Sequence, residues 1–221
     1  MNIAQLTVSP RWSRSTSFPI KRSPCRKPGE QPSRSMKAVP SGYTGNVELL
    51  TFGHGTLTQD EIARLIERAA IARVVDVRTV PKSRAHPWVW SDKMAVWVPA
   101  EAGAEYVWER DLGGFRTPQP TSHHTALRNP SFRGYADYME TERFLSALNA
   151  LIDSLPHRKT AIMCSETLWW RCHRRLISDA AVLLHGVDVQ HVTANGRTQP
   201  HALTQGVRRA DGTLRYDVQA A

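Results

Sequence analysis

Thiols are scarce in this chain. Its 221 residues include three cysteines, Cys25, Cys164 and Cys172. So small and odd a set argues against a disulfide framework and for a reducing, cytoplasmic setting. Long apolar runs are also missing. Nothing approaches the roughly 20 residues that a membrane helix needs, and the N-terminus lacks the apolar core of a secretory signal. No membrane partner is therefore expected. CxxC and HxxxH spacings are absent too. Zinc is left with only Cys172–His173 joined by Cys164 or His54, a set that no standard spacing supports, so no cofactor is expected. No internal repeat is visible.

What is present is a sizeable core and an uneven charge. Hydrophobic residues make up 41% of the chain and the net charge is +9. Residues 1–40 carry eight Lys/Arg against the single acid Glu30, giving +7, so only +2 is left for residues 41–221. Any nonspecific attraction to polyanions therefore belongs to the N-terminal segment. That segment is rich in Ser, Pro and Arg, lacks periodicity, and is expected to be a disordered basic tail over residues 1–45. Three readings of it stand: a nucleic-acid-binding arm, an organellar targeting segment, or an upstream extension with Met36 as the true start.

From Asn46 onward the pattern is orderly. Val47 to Phe52 reads as a first strand. Thr58 and Glu61 form a capping box, and Ile62, Leu65, Ile66 and Ala69 mark one helix face. Ala72 to Val77 reads as a second strand, so strand, helix and strand make a parallel βαβ unit. Pro81 to Trp90 reads as a loop, residues 91–102 as a short helix and Glu105 to Trp108 as a third strand. Leu112 to Thr125 has the Gly, Pro and Ser density of a long irregular loop. Gly134 to Met139 and Thr141 to Leu155 read as helices. Lys159 to Met163 follows as a covered strand, then a helix with Leu176, Ile177, Ala180, Ala181, Leu183 and Leu184 inward, then a strand at Val187 to Val192. Residues 206–221 read as a polar, peripheral tail. The whole is an α/β fold: a single domain over residues 46–205, with a mainly parallel sheet flanked by helices.

Ligands of such sheets sit beyond the carboxyl ends of the strands. Three groups fall there: His54 in Gly-His-Gly-Thr, the pair Asp76 and Arg78, and the segment Cys164 to Arg174. Cys164 is the candidate nucleophile, since a helix N-terminus and nearby cations favour a thiolate; Glu166 opposes this, and a small buried cysteine at a strand end is the plain alternative. Arg171 and Arg174 lie at a helix start, where cations are unfavourable unless an anion or a carboxylate offsets them. His54 is a candidate acid/base between two glycines, and His173 an orienting group. Asp76 and Arg78 read equally as a structural pair or as part of the site. Trp169 or Trp170 walls a pocket or fills the core. Cys164 and Cys172 are also weighed as a redox pair.

The segments TFGHGT, VVDVRTVPKSR, LGGFR, NPSFRGYADYM, AIMCSETLWWRCHRRLISD and HVTANGRTQPH together resemble the bacterial family called domain of unknown function 488, over about Leu50 to Leu203. The resemblance implies a compact cytoplasmic α/β domain. It marks His54, Asp76, Arg78, Arg84, Gly113, Gly114, Arg133, Gly134, Tyr135, Tyr138, Cys164, Glu166, Cys172, His173, Arg174 and His201 without assigning their roles. The family's usual Gly-His-Ser is Gly-His-Gly here. A second likeness is to rhodanese domains, where a DVR strand end precedes a strand, a Cys loop and a helix. The loop here is longer and lacks small residues to aim amides at sulfur.

These readings lead to an enzyme acting on an anionic substrate, a nucleotide or nucleic-acid base. Cys164, Glu166, His54 and His173 would do the chemistry, and Arg78, Arg171, Arg174, Asp76, Trp169, Arg133 and Tyr135 would bind. The alternatives are a nucleic-acid-binding module without turnover, a partner-binding domain whose cleft is vestigial, and rhodanese-like thiol chemistry at Cys164.

Overall fold

The computed structural model describes residues 47–218. Expectations for the basic tail, Met36 and Cys25 lie outside the described residues. The chain runs β1 (Glu48–Gly53), α1 (Gln59–Arg68), β2 (Arg73–Asp76), α2 (Ser91–Ala102), β3 (Glu105–Trp108), α3 (Pro130–Met139), α4 (Glu142–Ser154), β4 (Thr160–Cys164), α5 (Arg174–His185), β5 (Asp188–Val192), β6 (Thr198–Pro200), β7 (Val207–Ala210) and β8 (Thr213–Tyr216). Six strands form one sheet in the order β3-β2-β4-β1-β5-β6. The first five are parallel, and β6 pairs antiparallel with β5. The fold is thus α/β with a mainly parallel sheet flanked by helices.

Local chemistry accounts for the elements. In α1 the backbone N–H of Thr58 donates to Glu61 Oε2 at 2.8 Å, and the backbone N–H of Glu61 donates back to Thr58 Oγ1 at 3.3 Å. α3 starts earlier than the spacing predicts: Asn129 caps it through Ser131 N, and Pro130 fits the first turn, where its missing N–H costs nothing. Strand side chains alternate between two cores. Leu50, Phe52, Val74, Ala161 and Met163 pack with α1 and α2 on one face. Leu49, Val75, Ile162 and Cys164 pack with α3, α4 and α5 on the other. Each fully buried Leu, Ile or Phe contributes about 1.5–3 kcal/mol.

The C-terminal segment differs from expectation. β7 and β8 form a separate hairpin, and Leu214 and Tyr216 are buried in the second core. Tyr216 also donates its hydroxyl to buried Asp179 at 3.1 Å. A composition-based reading misses this because only Leu214 and Tyr216 of the hairpin are fully buried, with Val207 packed partly against the same core. Among the described residues, no helix is long and apolar enough to cross a membrane.

The strand order reverses at β1 and β4. The chain leaves β1 toward β2 and leaves β4 toward β5, so the crevice beyond these two neighbouring strands is the place where such sheets bind ligands. The three groups picked out in the sequence follow β1, β2 and β4, which are adjacent.

Candidate functional site: a two-cysteine cluster at the strand ends

A cavity of about 190 Å³ opens between the ends of β2 and β4 and the helices α3 and α5. Its lining includes Arg78, Thr79, Phe115, Tyr135, Cys164, Glu166, Arg171, Cys172 and His173. A larger groove of about 720 Å³ lies elsewhere, around Arg128, Asn129, Phe132 and Arg175, but no cysteine, histidine or carboxylate lines it. The chemically equipped cavity is therefore the smaller one.

Two backbone contacts fix the cysteine loop. The N–H of His54 donates to the Cys164 carbonyl and that of Gly55 to the Ser165 carbonyl, both at 2.9 Å. Gly53 makes the next step possible. A Cβ there would lie 1.9 Å from the Glu166 carbonyl oxygen and 2.8 Å from Arg174 Nη2, so only glycine lets the loop and the guanidinium close over β1. Gly114 does the same for the imidazole, since a Cβ there would lie 3.0 Å from His173 Nδ1.

His173 has a defined tautomer. Its Nε2–H donates to the Val77 carbonyl at 2.9 Å. Nδ1 therefore carries a lone pair, which faces Cys164 Sγ at 3.8 Å and Cys172 Sγ at 3.7 Å. Arg174 comes in behind. It is 1% exposed and donates through Nε to Cys172 Sγ at 3.4 Å, through Nη1 to Thr51 Oγ1 at 3.4 Å, and through Nη2 to the Glu166 carbonyl. No carboxylate among the described residues forms an ion pair with it.

These partners split the two thiols. Burial opposes ionisation of Cys172, but the hydrogen bond from the Cys164 thiol, with the Arg174 guanidinium behind it, outweighs burial and pulls Cys172 well below the ordinary thiol range. Cys164 is pushed well above that range, first by its hydrogen bond to Cys172 and then by burial. The sequence reading places the reactive sulfur at Cys164. In the structure the Arg174 guanidinium reaches the other sulfur, donating through Nε to Cys172 Sγ at 3.4 Å.

Other candidates have different duties. Arg174 is a buried brace behind Cys172 rather than part of the cavity lining; Arg171 is exposed and does line it. Glu166 is exposed at the mouth. His54, 2% exposed, donates Nδ1–H to the Gly55 carbonyl at 3.0 Å and accepts from Arg78 Nη1 at 3.3 Å. Burial and then Arg78 lower its pKa to about 4, so it is neutral, fully engaged and outside the lining. Asp76 and Arg78 form a buried pair, with Arg78 Nε at 2.9 Å and 3.1 Å from the two carboxylate oxygens. The pair is completed by Tyr106 donating to Asp76 at 2.6 Å, and Arg78 alone also lines the cavity. Tyr135 supplies a wall: its hydroxyl is held by the Leu112 carbonyl at 2.7 Å, and its ring meets His173 edge-on at 5.1 Å. Arg133 is half-buried and absent from the lining.

Trp169 does not wall the cavity. It stacks on His191 at 4.1 Å and 8°, covering a buried chain that the spacing does not reveal. Arg174 donates to Thr51, Thr51 Oγ1 to His191 Nδ1 (2.7 Å), His191 Nε2 to His201 Nδ1 (3.0 Å), and His201 Nε2 to Asp179 Oδ1 (3.0 Å). Every donor points toward Asp179, which is 0% exposed. The chain ties buried Arg174 to a distant carboxylate and fixes its orientation. Asp179 and Ser178, polar residues amid the apolar positions of α5, are the sequence signal that could have exposed it.

No curated protein and no solved structure matches this chain, so the rhodanese likeness has no support from them. Residues 58–181, more than half of the chain, match the family described as Domain of unknown function DUF488, and the chain belongs to that family.

Proposed function

We propose that this domain is an enzyme that acts on a small anionic substrate through a thiolate at Cys172. One observation carries the reading. Arg174 is a buried guanidinium without a carboxylate partner, and its Nε points at Cys172 Sγ from 3.4 Å. A buried charge needs a counter-charge, and this sulfur supplies it on the wall of an open cavity.

The lining favours an anion. Arg171 at the mouth faces this space, whereas the Arg78 guanidinium in the wall is already paired with Asp76, and α5 starts just beyond Cys172 with no side chain capping its first N–H groups. The cavity is smaller than the usual 300–1,000 Å³ of a small-molecule pocket. It therefore takes a phosphate or carboxylate head group and leaves the rest of a nucleotide-like substrate outside, near exposed Phe115. Glu166 at the mouth serves as the proton carrier, His173 orients both sulfurs, and Cys164 donates to the thiolate. The reading fits a reducing, cytoplasmic setting, in which neither sulfur is oxidised. Binding of nucleic acid without turnover is less well supported, because the face of Trp169 is spent on His191.

The test is protection. Iodoacetamide labelling of Cys172, read by peptide mass spectrometry, is followed with nucleoside monophosphates, simple phosphomonoesters, thiosulfate and small carboxylates present. At least one class should slow labelling and leave a mass adduct or a product, and Arg171→Ala should weaken that protection. Failure of every anion to protect Cys172 would remove the proposal.

A further inference from the structure

Two clusters of metal-ligating side chains lie among the described residues: Cys164, Cys172 and His173, and His123, His124 and Glu140, each with its donor atoms within 4.8 Å of one another. Tautomers separate them. Buried His124 has its Nδ1 occupied by the Tyr216 backbone N–H at 3.4 Å, which leaves Nε2 as the N–H of a neutral ring and no lone pair for a cation. His173 is the reverse: Nε2–H is fixed on the Val77 carbonyl, and the lone pair of Nδ1 points at both sulfurs.

We propose that Cys164, Cys172 and His173 bind one thiophilic divalent cation, zinc or a close equivalent, with its fourth position open to the cavity. Zn–S bonds near 2.3 Å and Zn–N bonds near 2.0–2.1 Å in a tetrahedron require S···N separations of about 3.6 Å. The observed S···N separations are 3.8 Å and 3.7 Å, within a few tenths of an ångström of that value, and all three donor atoms lie within 4.8 Å of one another. The outer contacts of a metal site already stand: a carbonyl holds the ligating imidazole by its other nitrogen, and Arg174 Nε donates to a ligating sulfur. All three ligands line the cavity.

Spacing hides this site, because the first ligand ends β4 while the other two precede α5. Charge then selects the fourth ligand. A divalent cation with two thiolates is neutral, and Arg174 adds one positive charge, so the open position favours an anion such as hydroxide, carboxylate or phosphate. This rests on the proposed use of the cavity by anions and adds a control to it. A loaded metal holds the Cys172 sulfur, so metal binding and thiol reactivity are alternative states of one site.

The experiment is a cobalt(II) titration of the full chain with Cys25→Ser, which removes the thiol outside the described residues. One equivalent should give a sulfur-to-cobalt charge-transfer band and the visible bands of tetrahedral cobalt, both erased by one equivalent of zinc. Zinc should also raise the melting temperature and block labelling of Cys164 and Cys172 together. Cys164→Ser and Cys172→Ser should each lose the charge-transfer band, with circular dichroism confirming the fold, and His123→Ala should keep it. Weak octahedral bands only, or a charge-transfer band that survives both cysteine variants or depends on His123, would overturn the metal site. The two proposals fail separately. Anion-protected, fast-reacting Cys172 with no cobalt band removes the metal alone; a cobalt band without anion protection removes the substrate reading alone.

Discussion

Arg174→Met tests what the buried guanidinium does. Methionine keeps much of the apolar stem and removes three donors: one to Cys172 Sγ at 3.4 Å, one to Thr51 Oγ1 at 3.4 Å and one to the Glu166 carbonyl. Hydrogen bonds involving a charged group contribute about 1.5–3 kcal/mol each, and an orphaned buried acceptor costs about 1–3 kcal/mol. The Thr51 hydroxyl stays engaged with His191 at 2.7 Å, so the Glu166 carbonyl bears the main penalty. The fold should lose about 2–4 kcal/mol and remain native at room temperature. The sulfur should lose more. Without its cation, Cys172 takes a proton, and labelling by iodoacetamide near neutral pH should slow about tenfold to a hundredfold, 1.4 kcal/mol being a factor of ten. Arg174→Lys keeps a charge without the fork and should fall between. Peptide mass spectrometry reads both cysteines in one sample, with Cys164 as the internal reference. A folded Arg174→Met protein whose Cys172 labels as fast as wild type would refute the assignment of the thiolate.

Acid should unfold the domain unusually early. Burial depresses His54 to about 4 and His191 to about 3 from an ordinary value of 6.5. Protons then bind the unfolded chain better, so stability is complete above 6.5 and falls with pH toward the folded values; at about pH 4.5 the two groups together remove about 5 kcal/mol. Urea unfolding free energies at several pH values check this, and a flat profile from neutrality to that point would contradict it. Gly53→Ala places a methyl 1.9 Å from a backbone oxygen, which cannot swing aside as a flexible side chain would; it should cost about 2 kcal/mol or more and raise exposure of both thiols to labelling. An alanine variant with wild-type melting and labelling would show that the loop closes by another route.

Much of the fold is legible in the sequence because strands and helices carry it by period. The Thr58–Glu61 box, the apolar stretches of β1, β2 and β4 and the inward face of α5 follow from spacing alone. The meeting of His54, Asp76, Arg78 and the Cys164 loop at neighbouring strand ends follows from parallel topology. Side-chain duties are less legible. Nothing local shows that Arg174 turns inward behind Cys172, since an arginine at a helix start reads as an anion ligand until its burial is seen. Trp169 reads as a pocket wall because His191 and His201, some 20 to 30 residues on, are the partners that claim its face. The choice between Cys164 and Cys172 depends on which sulfur the guanidinium reaches, a fact about three dimensions.

The most direct measurement of the central claim is the ultraviolet absorbance of thiolate, titrated from acid through neutral pH in a metal-free Cys25→Ser background. Wild type and Cys164→Ser should each show one thiolate already present at neutrality, and Cys172→Ser should show none. A signal that appears only above the free-thiol value of about 8.5, or that vanishes with Cys164 instead of Cys172, would contradict the account.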